Sequence, residues 1–234
     1  MDSVKEYYNL LYGNHKMNAQ RQYPNEEFIR FFSKYLKQNP DSYVLELGCG
    51  LCSNIIPLLE CNFKNVYGID ISEESIKLAT ERLCRKNMKA NLILGDCTKY
   101  LFDSDMYFDA IADVFSMCCL NTNELKNLIE HIYNSLNDEG LFYSFYPSKN
   151  SVAFTNHEPS VLIDDSTLNG IYRKSSPYYG NYYNFRFMYP YEYKSLLENN
   201  GFEVVEMNTI SRNHNMKETF EHISIIARKV NKNI

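Results

Sequence analysis

Three acidic residues lie where buried strands are expected to end. Glu46 belongs to an apolar run that leads into a glycine turn at residues 48–50. Asp70 ends a second apolar run, 20 positions after that turn, and Asp96 ends a third. Carboxylates at the carboxyl ends of neighbouring parallel strands can accept hydrogen bonds from the hydroxyl and amino groups of a nucleoside. This spacing predicts a binding site for a nucleoside-bearing cofactor.

The elements around these residues predict an α/β fold. From residue 43 short apolar strands alternate with amphipathic helices, which is typical of a parallel sheet with right-handed crossovers. Strands are predicted at residues 43–47, 65–70, 91–95, 108–115, 141–146, 203–207 and 221–228, and helices at residues 54–60, 72–85, 123–136 and 190–199. A polar loop at residues 210–218 is predicted to join the last two strands as an antiparallel hairpin.

Two segments fall outside this alternation. Residues 1–40 predict a helical N-terminal cap. Residues 147–189 are polar, contain three prolines and hold a cluster of tyrosines, which predicts an insertion on the substrate side of the sheet. These tyrosines suit an acceptor pocket, although exposed aromatic residues also mark dimer contacts. We expect a single domain over residues 1–234, as a monomer or a homodimer.

Composition restricts the function further. The chain has 234 residues and a formal charge of −5, which disfavours nucleic-acid binding because phosphate contacts need a high density of Lys and Arg. Seven scattered cysteines favour reduced thiols, no apolar run is long enough for a membrane span, and no secretory signal is visible. We therefore expect a cytoplasmic protein without a metal site. Cys49 and Cys52 could form a redox pair, but their place in the glycine loop favours a role in ligand binding.

Two classes of cofactor suit a glycine loop of this kind. A dinucleotide loop needs a third glycine where this chain has Ser53. A loop for S-adenosylmethionine tolerates an acid two residues before the first glycine, as at Glu46, since this carboxylate can accept from the ammonium group of the cofactor. A pyrophosphate at that place would be repelled. Asp70 can accept from both ribose hydroxyls, and Asp96 from the exocyclic amine of adenine.

With these motifs the chain resembles the class I S-adenosylmethionine-dependent methyltransferase family. Residues 46–50 match its motif I, residues 68–70 the acidic motif after the second strand, and residues 95–96 the acid beside adenine. The resemblance implies a Rossmann-like seven-stranded sheet in the order 3-2-1-4-5-7-6, with strand 7 antiparallel and helices on both faces. Cys52 stands where the family usually has a third glycine, and we expect this to be tolerated because cysteine is small.

The resemblance also implies a set of site residues and a product, S-adenosylhomocysteine. The N-terminal residues in this set resemble those that close over the cofactor in small-molecule members of the family. The cofactor-binding residues expected are Glu46, Gly48, Cys49, Gly50, Asp70, Ile71, Asp96, Cys97, Asp113, Tyr12 and Arg21. Asp113 ends the fourth strand and is expected to face the cofactor or the acceptor, unless it only caps a turn.

The acceptor is predicted less directly. Residues 113–116 lack the paired prolines that family members acting on amino groups of nucleic acids and proteins often carry. This favours methylation at oxygen or nitrogen of a small polar metabolite, with a sugar as one candidate. A protein or RNA methyltransferase and a non-catalytic cofactor-binding partner subunit remain alternatives. An alcohol acceptor would need a general base, for which the candidates are Asp113, His157, His214 and His222.

Overall fold

The fold is built on one large mixed sheet. A computed structural model describes residues 4–103 and 106–230, so the ends of the expected 1–234 domain lie outside the described residues. Its strands are β1 (Tyr43–Leu47), β2 (Asn65–Asp70), β3 (Asn91–Leu94), β4 (Phe108–Val114), β5 (Leu136–Pro147), β6 (Leu162–Asp164), β7 (Thr167–Leu168), β8 (Phe185–Arg186), β9 (Phe202–His214) and β10 (Glu218–Lys229). Its helices are α1 (Val4–His15), α2 (Glu26–Phe31), α3 (Ile55–Glu60), α4 (Glu73–Arg85), α5 (Cys97–Asp103), α6 (Thr122–Ser135), α7 (Val152–Thr155) and α8 (Pro190–Asn199).

The strand order of the large sheet is β3-β2-β1-β4-β5-β10-β9. Strands β1 to β5 pair in parallel, whereas β10 is antiparallel to both of its neighbours. With β9 and β10 counted as strands 6 and 7, this confirms the predicted order 3-2-1-4-5-7-6 and the antiparallel last strand. Because the parallel strands share one carboxyl edge, the segments after β1, β2, β3 and β4 meet at one side of the molecule.

Helices cover both faces of this sheet, and the period of two along each strand divides its side chains between them. Val44 packs with α2, α3 and α4 in one buried cluster. Its neighbour Leu45 packs in a second cluster with α6 and α8. Hydrogen-bonded caps begin two of these helices, since Ser72 accepts from Ser75 N and Asn121 forms a reciprocal capping box with Glu124. The sheet therefore lies between two layers of helices.

The N-terminal cap and the insertion lie at the carboxyl edge. After α1, an irregular segment leads to α2, which begins at the cap residue Asn25 and continues as a π-helical turn to Leu36. In the insertion, β6, β7 and β8 form a small antiparallel sheet. Tyr178, Phe185 and Phe187 of the insertion are buried in the same cluster as Leu45. The insertion is thus packed onto the core of the sheet.

The structure differs from the sequence-based expectations at α5 and at the loop between the last two strands. The helix α5 was not predicted between β3 and β4. The antiparallel hairpin is confirmed, but its loop is shorter than the expected residues 210–218, because β9 continues to His214 and β10 already begins at Glu218. Only a tight turn remains between them, with Asn215 and Met216 at positive φ. The polar composition reflects an exposed hairpin rather than a loop, since backbone pairing continues where side chains are solvated.

No helix among the described residues is long and apolar enough to cross a bilayer. Within the same residues, no group of three or more His, Cys, Asp or Glu side chains is placed to hold a metal ion. The seven cysteines are all free thiols.

Candidate active site

The turn after β1 requires glycine at two positions. Gly48 and Gly50 have φ angles of +63° and +50°, in the left-handed region that suits glycine. A Cβ atom on Gly48 would lie 2.3 Å from Ser116 Oγ, and one on Gly50 would lie 2.1 Å from Gln20 Oε1. Cys49 between them donates its N–H to Ile69 O at 3.0 Å, which fixes the turn against the end of β2. The turn therefore brings the segments after β1, β2 and β4 together.

Cys52 lies at a position with the same left-handed backbone conformation. Its φ is +61° and its side chain is fully buried. A left-handed conformation costs a non-glycine residue about 1–2 kcal/mol. The usual third glycine of the motif thus has a conformational reason, and small size alone does not remove the cost of a cysteine here.

Glu46 provides a buried carboxylate beside this turn. Its residue exposure is 4 %, and Oε1 accepts a hydrogen bond from Asn54 Nδ2 at 2.6 Å. Oε2 is buried without a hydrogen-bond partner. Burial raises the pKa of Glu46 to about 8, and the nearby Asp113 and Asp70 carboxyls add to the shift. An unpaired buried acceptor of this kind favours a positively charged donor as its partner.

Asp70 and Asp96 lie at the next two strand ends. Asp70 Oδ2 accepts from Gly50 N and Oδ1 accepts from Ser72 N, both at 2.9 Å, so this carboxylate joins the glycine turn to the start of α4. Burial raises the pKa of Asp70. Asp96 is half-buried, and Oδ1 accepts from the backbone and the hydroxyl of Thr98 at 3.0 and 2.7 Å. Each carboxylate oxygen can accept more than one hydrogen bond, so both residues keep capacity for a ligand.

Ile71 and Cys97 are both half-buried and directly follow these two acids. Ile71 precedes the cap of α4, and Cys97 is the first residue of α5. Burial raises the pKa of the Cys97 thiol, which keeps it protonated and unreactive. The structure therefore places the two residues as apolar walls beside the strand ends.

The N-terminal segment covers the glycine turn through residues that sequence reasoning missed. Gln20 Oε1 accepts from Leu51 N at 2.7 Å and from Tyr12 Oη at 3.3 Å. Arg82 of α4 donates from Nη1 to Leu51 O at 2.7 Å, and from Nη2 to the carbonyl of Gln22. No motif marks Gln20 or Arg82, because each acts through a contact between distant parts of the chain.

Tyr12 and Arg21 occupy different positions in this segment. Tyr12 is 4 % exposed and packs with Leu51 of the glycine turn. Arg21 has an exposed side chain, and its carbonyl accepts from Ser53 Oγ at 2.5 Å. Tyr12 is thus brought to the expected cofactor site by its side chain, whereas Arg21 is tied there by its backbone.

The carboxylate of Asp113 already accepts hydrogen bonds from donors within the protein. It is fully buried, Oδ1 accepts from the N–H groups of Ser116 and Met117 at 2.9 Å, and Oδ2 accepts from Ser144 Oγ at 2.8 Å. Burial raises the pKa of Asp113 to about 6. Three internal donors use this carboxylate to cap the turn after β4, so the geometry favours the alternative in which Asp113 only caps a turn.

His157 and His214 have hydrogen-bond partners close to them in the chain. His157 Nδ1 forms a hydrogen bond with Ser160 O at 2.9 Å, within its own turn. His214 is exposed at the end of β9, and its Nε2 meets Asn215 Nδ2 at 3.1 Å. In the described part of the chain, neither imidazole is hydrogen-bonded to Glu46, Asp70 or Asp96. The structure does not bring these two histidines together with the expected cofactor site.

His222 lies in an aromatic cluster at the carboxyl edge. Its register partner on β5 is Pro147, and its ring stacks on Phe145 at 4.7 Å between centroids. Nε2 lies 2.8 Å from Tyr178 Oη, while Nδ1 is buried without a partner. Burial lowers the pKa of His222 to about 4, and the cations of Arg212 and Arg21 lower it further. The imidazole is therefore neutral at pH 7.

A short path connects His222 to the glycine turn. The ring of Phe115, the second residue after Asp113, lies 5.2 Å from the His222 ring. Phe115 has a φ of +66°, which is rare for an aromatic residue and is typical of strained functional segments. The next residue, Ser116, is the one that a Cβ atom on Gly48 would strike. The strand ends of β1, β4, β5 and β10 thus meet in one continuous site.

Tyrosines from α1 contact the insertion across the carboxyl edge of the sheet. Tyr7 Oη donates to Gly180 O at 2.6 Å, and Tyr8 Oη lies 2.8 Å from Tyr183 Oη. The Tyr183 ring is 5.0 Å from the Tyr7 ring and 5.6 Å from the Tyr8 ring. We call Tyr7, Tyr8 and Tyr183 the aromatic roof.

Comparison with known proteins identifies a domain within this chain. Residues 44–140 match the family model described as a methyltransferase domain. The chain therefore contains a methyltransferase domain over these residues. The predicted family, cofactor and fold are thereby confirmed. Glu46 Oε2 fits this cofactor, because the methyltransferase domain offers a buried unpaired acceptor to its ammonium group.

Solved structures share the fold of the methyltransferase domain. An S-adenosylmethionine-dependent methyltransferase from Clostridium acetobutylicum aligns with a TM-score of 0.65 and 16% identity, over 98% of this chain and 100% of that chain. Magnesium protoporphyrin IX methyltransferase from Synechocystis, solved with bound S-adenosylhomocysteine, aligns with a TM-score of 0.62 and 16% identity. It covers 97% of this chain and 98% of its own. At such identities the similarity concerns the fold.

One curated relative is a tRNA N(3)-methylcytidine methyltransferase from Schizosaccharomyces pombe. It is 23% identical over 152 residues, which are 60% of this chain and 48% of that protein. The chain spans about half the length of the curated relative that it matches.

Proposed function

We propose that this methyltransferase domain transfers the methyl group of S-adenosylmethionine to an oxygen or nitrogen of a small polar acceptor, such as a sugar. The aromatic roof carries this proposal. Its hydrogen bonds at 2.6 and 2.8 Å close the carboxyl edge between α1 and the insertion. A closed site of this kind suits a small ligand better than a duplex or a folded protein. Seven free thiols are consistent with a reaction in the cytoplasm.

The three acids have distinct proposed roles toward the cofactor. Glu46 Oε2 accepts from the ammonium group, Asp70 from the ribose hydroxyls and Asp96 from the adenine amine. Gly48 and Gly50 have no side chains, so Ser116 and Gln20 approach the turn closely, and we propose that the cofactor lies against the backbone of this turn. When bound, S-adenosylmethionine supplies an activated methyl group on a sulfonium centre, so the chain contributes mainly proximity and alignment.

His222 is the proposed proton acceptor for a hydroxyl acceptor. Its ring is neutral at pH 7, so one nitrogen is free to accept a proton, although a pKa of about 4 makes this nitrogen a weak base. The hydrogen bond with Tyr178 orients the ring. The proton would pass from the acceptor hydroxyl to the imidazole as the acceptor oxygen attacks. A nitrogen acceptor that is already neutral would not need this step. Of the four candidate bases, we therefore propose His222 rather than Asp113, His157 or His214.

RNA is the second candidate acceptor, because the curated relative from S. pombe acts on tRNA. Two observations weigh against it. The chain has a net charge of −5, while RNA binding relies on a basic surface. The aromatic roof would also have to open widely to admit an unstacked base. A third alternative, a partner subunit that binds cofactor without turnover, makes the same contacts with Glu46 and Asp70.

The experiment follows S-adenosylhomocysteine formation with the full chain and S-adenosylmethionine. Acceptors are offered in separate reactions as a dialysable metabolite extract, a panel of sugars and small amines, and total tRNA. We expect turnover with the small molecules and none with tRNA. Turnover with tRNA alone would replace the proposal by RNA methylation. Tight S-adenosylhomocysteine binding without turnover on any acceptor would support the partner subunit instead.

A further inference from the structure

A cavity lies between the helices α6 and α8 and the small sheet of the insertion. Its volume is about 460 Å³, which is within the range of small-molecule sites. The first turns of α6, the β6–β7 turn, the strand β8 and one side of α8 form its walls. Glu46, Asp70, Asp96 and His222 are not among its lining residues. The cavity is therefore separate from the cofactor site.

Arg186 forms one wall of this cavity and is only partly used by the protein. Its side chain is 9% exposed. Within the described residues, the hydrogen bonds of its guanidinium all come from Nη1, to Thr122 Oγ1 at 2.7 Å, Thr167 Oγ1 at 3.1 Å and Asp164 Oδ2 at 3.4 Å. Nε is buried without a partner. The edge formed by Nε and Nη2 thus has no partner among these residues, and an edge of this kind can bind carboxylate or phosphate in a bidentate manner.

Lys149 brings a second cation to the same cavity. Its side chain is 5% exposed, and Nζ lies 3.1 Å from Glu192 Oε2. Nζ also lies 5.1 Å from the centroid of the Tyr189 ring. Nζ also donates to Glu192 Oε1 at 3.2 Å, so Glu192 balances the charge of Lys149 through both carboxylate oxygens. An anion site in this cavity therefore depends on Arg186.

Of the three acidic residues in the lining, Asp164 pairs with Arg186, Glu192 pairs with Lys149 and Asp165 is exposed. Asp164 Oδ1 accepts from Ser166 N at 2.8 Å, and Oδ2 accepts from Thr122 Oγ1 at 3.1 Å. Asp164 therefore meets Arg186 only through Nη1, away from the unpaired edge. Leu125, Met188 and Leu196 add an apolar part to the wall.

We propose that this cavity is a binding site for a small molecule with an anionic group, a carboxylate or a phosphate, on an apolar body. The anion pairs with Nε and Nη2 of Arg186, and the apolar body lies against Leu125, Met188 and Leu196. Arg186 and Met188 belong to the insertion, whereas Leu125 and Leu196 belong to α6 and α8. A bound ligand would therefore fasten the insertion to the helices of the core.

The test measures binding of two probes, phenyl phosphate and benzoate, to the full chain by calorimetry. We expect saturable binding of at least one probe at one site, and the preferred probe distinguishes phosphate from carboxylate. Arg186→Lys keeps the charge but loses the bidentate edge, so affinity should fall at least about tenfold. The matched control is Arg30→Lys, since Arg30 lies on α2 in exposed ion pairs with Glu26 and Glu27. This variant should bind the probe as the wild type does.

A second variant covers the case that Arg186→Lys does not fold. Ser195 is an exposed residue of α8 in the cavity wall. Ser195→Trp should fill the cavity and abolish probe binding while S-adenosylhomocysteine still binds. The proposal is overturned if neither probe binds, if both variants bind the probe normally, or if S-adenosylhomocysteine displaces it.

Discussion

Glu46 and His222 are buried groups whose protonation affects stability in opposite directions. Folded Glu46 holds its proton up to about pH 8, while the unfolded chain releases it near the ordinary pKa of 4.5. Its contribution to stability therefore falls as pH rises between these values. His222 stays neutral down to about pH 4, while the unfolded chain takes up a proton near pH 6.5. Its contribution falls as pH decreases through that window.

The first prediction concerns Glu46 and the cofactor. Because Glu46 is protonated at pH 7 in the free protein and an ammonium group favours its ionised form, binding of S-adenosylhomocysteine should release about one proton. Calorimetry in two buffers of different ionisation enthalpy measures this number. In Glu46→Gln the residue cannot titrate, and the release should disappear together with a loss of affinity. Equal proton release by both proteins would contradict the role of Glu46.

The second prediction concerns the burial of His222. Between pH 7 and pH 5 the wild type should lose about 2 kcal/mol relative to His222→Gln, since the shifted pKa corresponds to about 1.4 kcal/mol per unit. Urea unfolding of both proteins at the two pH values measures the difference, which removes the opposite effect of Glu46. His214→Gln, at an exposed position near the hairpin turn, serves as the control. A constant difference between wild type and His222→Gln would show that His222 is not held neutral.

At the level of elements, the sequence predicts best where a local signal coincides with tertiary burial. The limits of β1 and β2 were predicted to the residue, because each is a short apolar run bounded by turns. The start of α4 follows from its cap at Ser72. In contrast, α5 has no complete apolar stripe, and its cap Asp96 was assigned to the cofactor instead of to a helix start. Its position is set by Asp96 and by its packing against α6.

In the candidate site, too, the sequence predicts some residues and misses others. Glu46 and Asp70 were placed correctly at the strand ends, since motif spacing and strand order determine their positions. Gln20 could not be found, because its contact with Leu51 joins residues 31 positions apart in the chain. For Asp113 the sequence left a ligand contact and a turn cap open, because its three donors come from the following turn and from β5. Spacing indicates which residues meet at an edge, but not which of them the protein already satisfies.

The third prediction concerns the glycine turn as an element. Gly48→Ala should destabilise the protein by about 2 kcal/mol or more, since a left-handed alanine costs 1–2 kcal/mol and its Cβ would also strike Ser116. Affinity for S-adenosylhomocysteine should fall as the turn and the segment after β4 move apart. Urea unfolding and calorimetry measure the two effects. Gly13→Ala is the matched control.

Gly13 lies in α1, where a Cβ atom would meet nothing within 4 Å. Alanine there should stabilise the helix by about 0.5–1 kcal/mol. If Gly48→Ala behaved like Gly13→Ala, the close approach of the two segments at the site would be refuted.

At the level of the whole molecule, α1 connects the cofactor edge with the insertion. Asn9 Oδ1 accepts from Ser72 Oγ at 2.7 Å, which joins α1 to the cap of α4 beside Asp70. On the other side, Tyr7 and Tyr8 reach the insertion through Gly180 and Tyr183. Asp70 itself accepts from Ser72 N. A ligand that orders Asp70 should therefore affect segments on both sides of α1.

The fourth prediction tests this connection by hydrogen exchange. Binding of S-adenosylhomocysteine should slow amide exchange in α1 and also in residues 171–183 of the insertion, because both are held through the aromatic roof. Tyr7→Phe combined with Tyr8→Phe removes both hydroxyl contacts but keeps the rings. In this variant the slowing should persist in α1 and largely disappear from residues 171–183. Slowing of the insertion to the same extent in both proteins would mean that the ligand reaches it by another route, and that the roof only packs above the site.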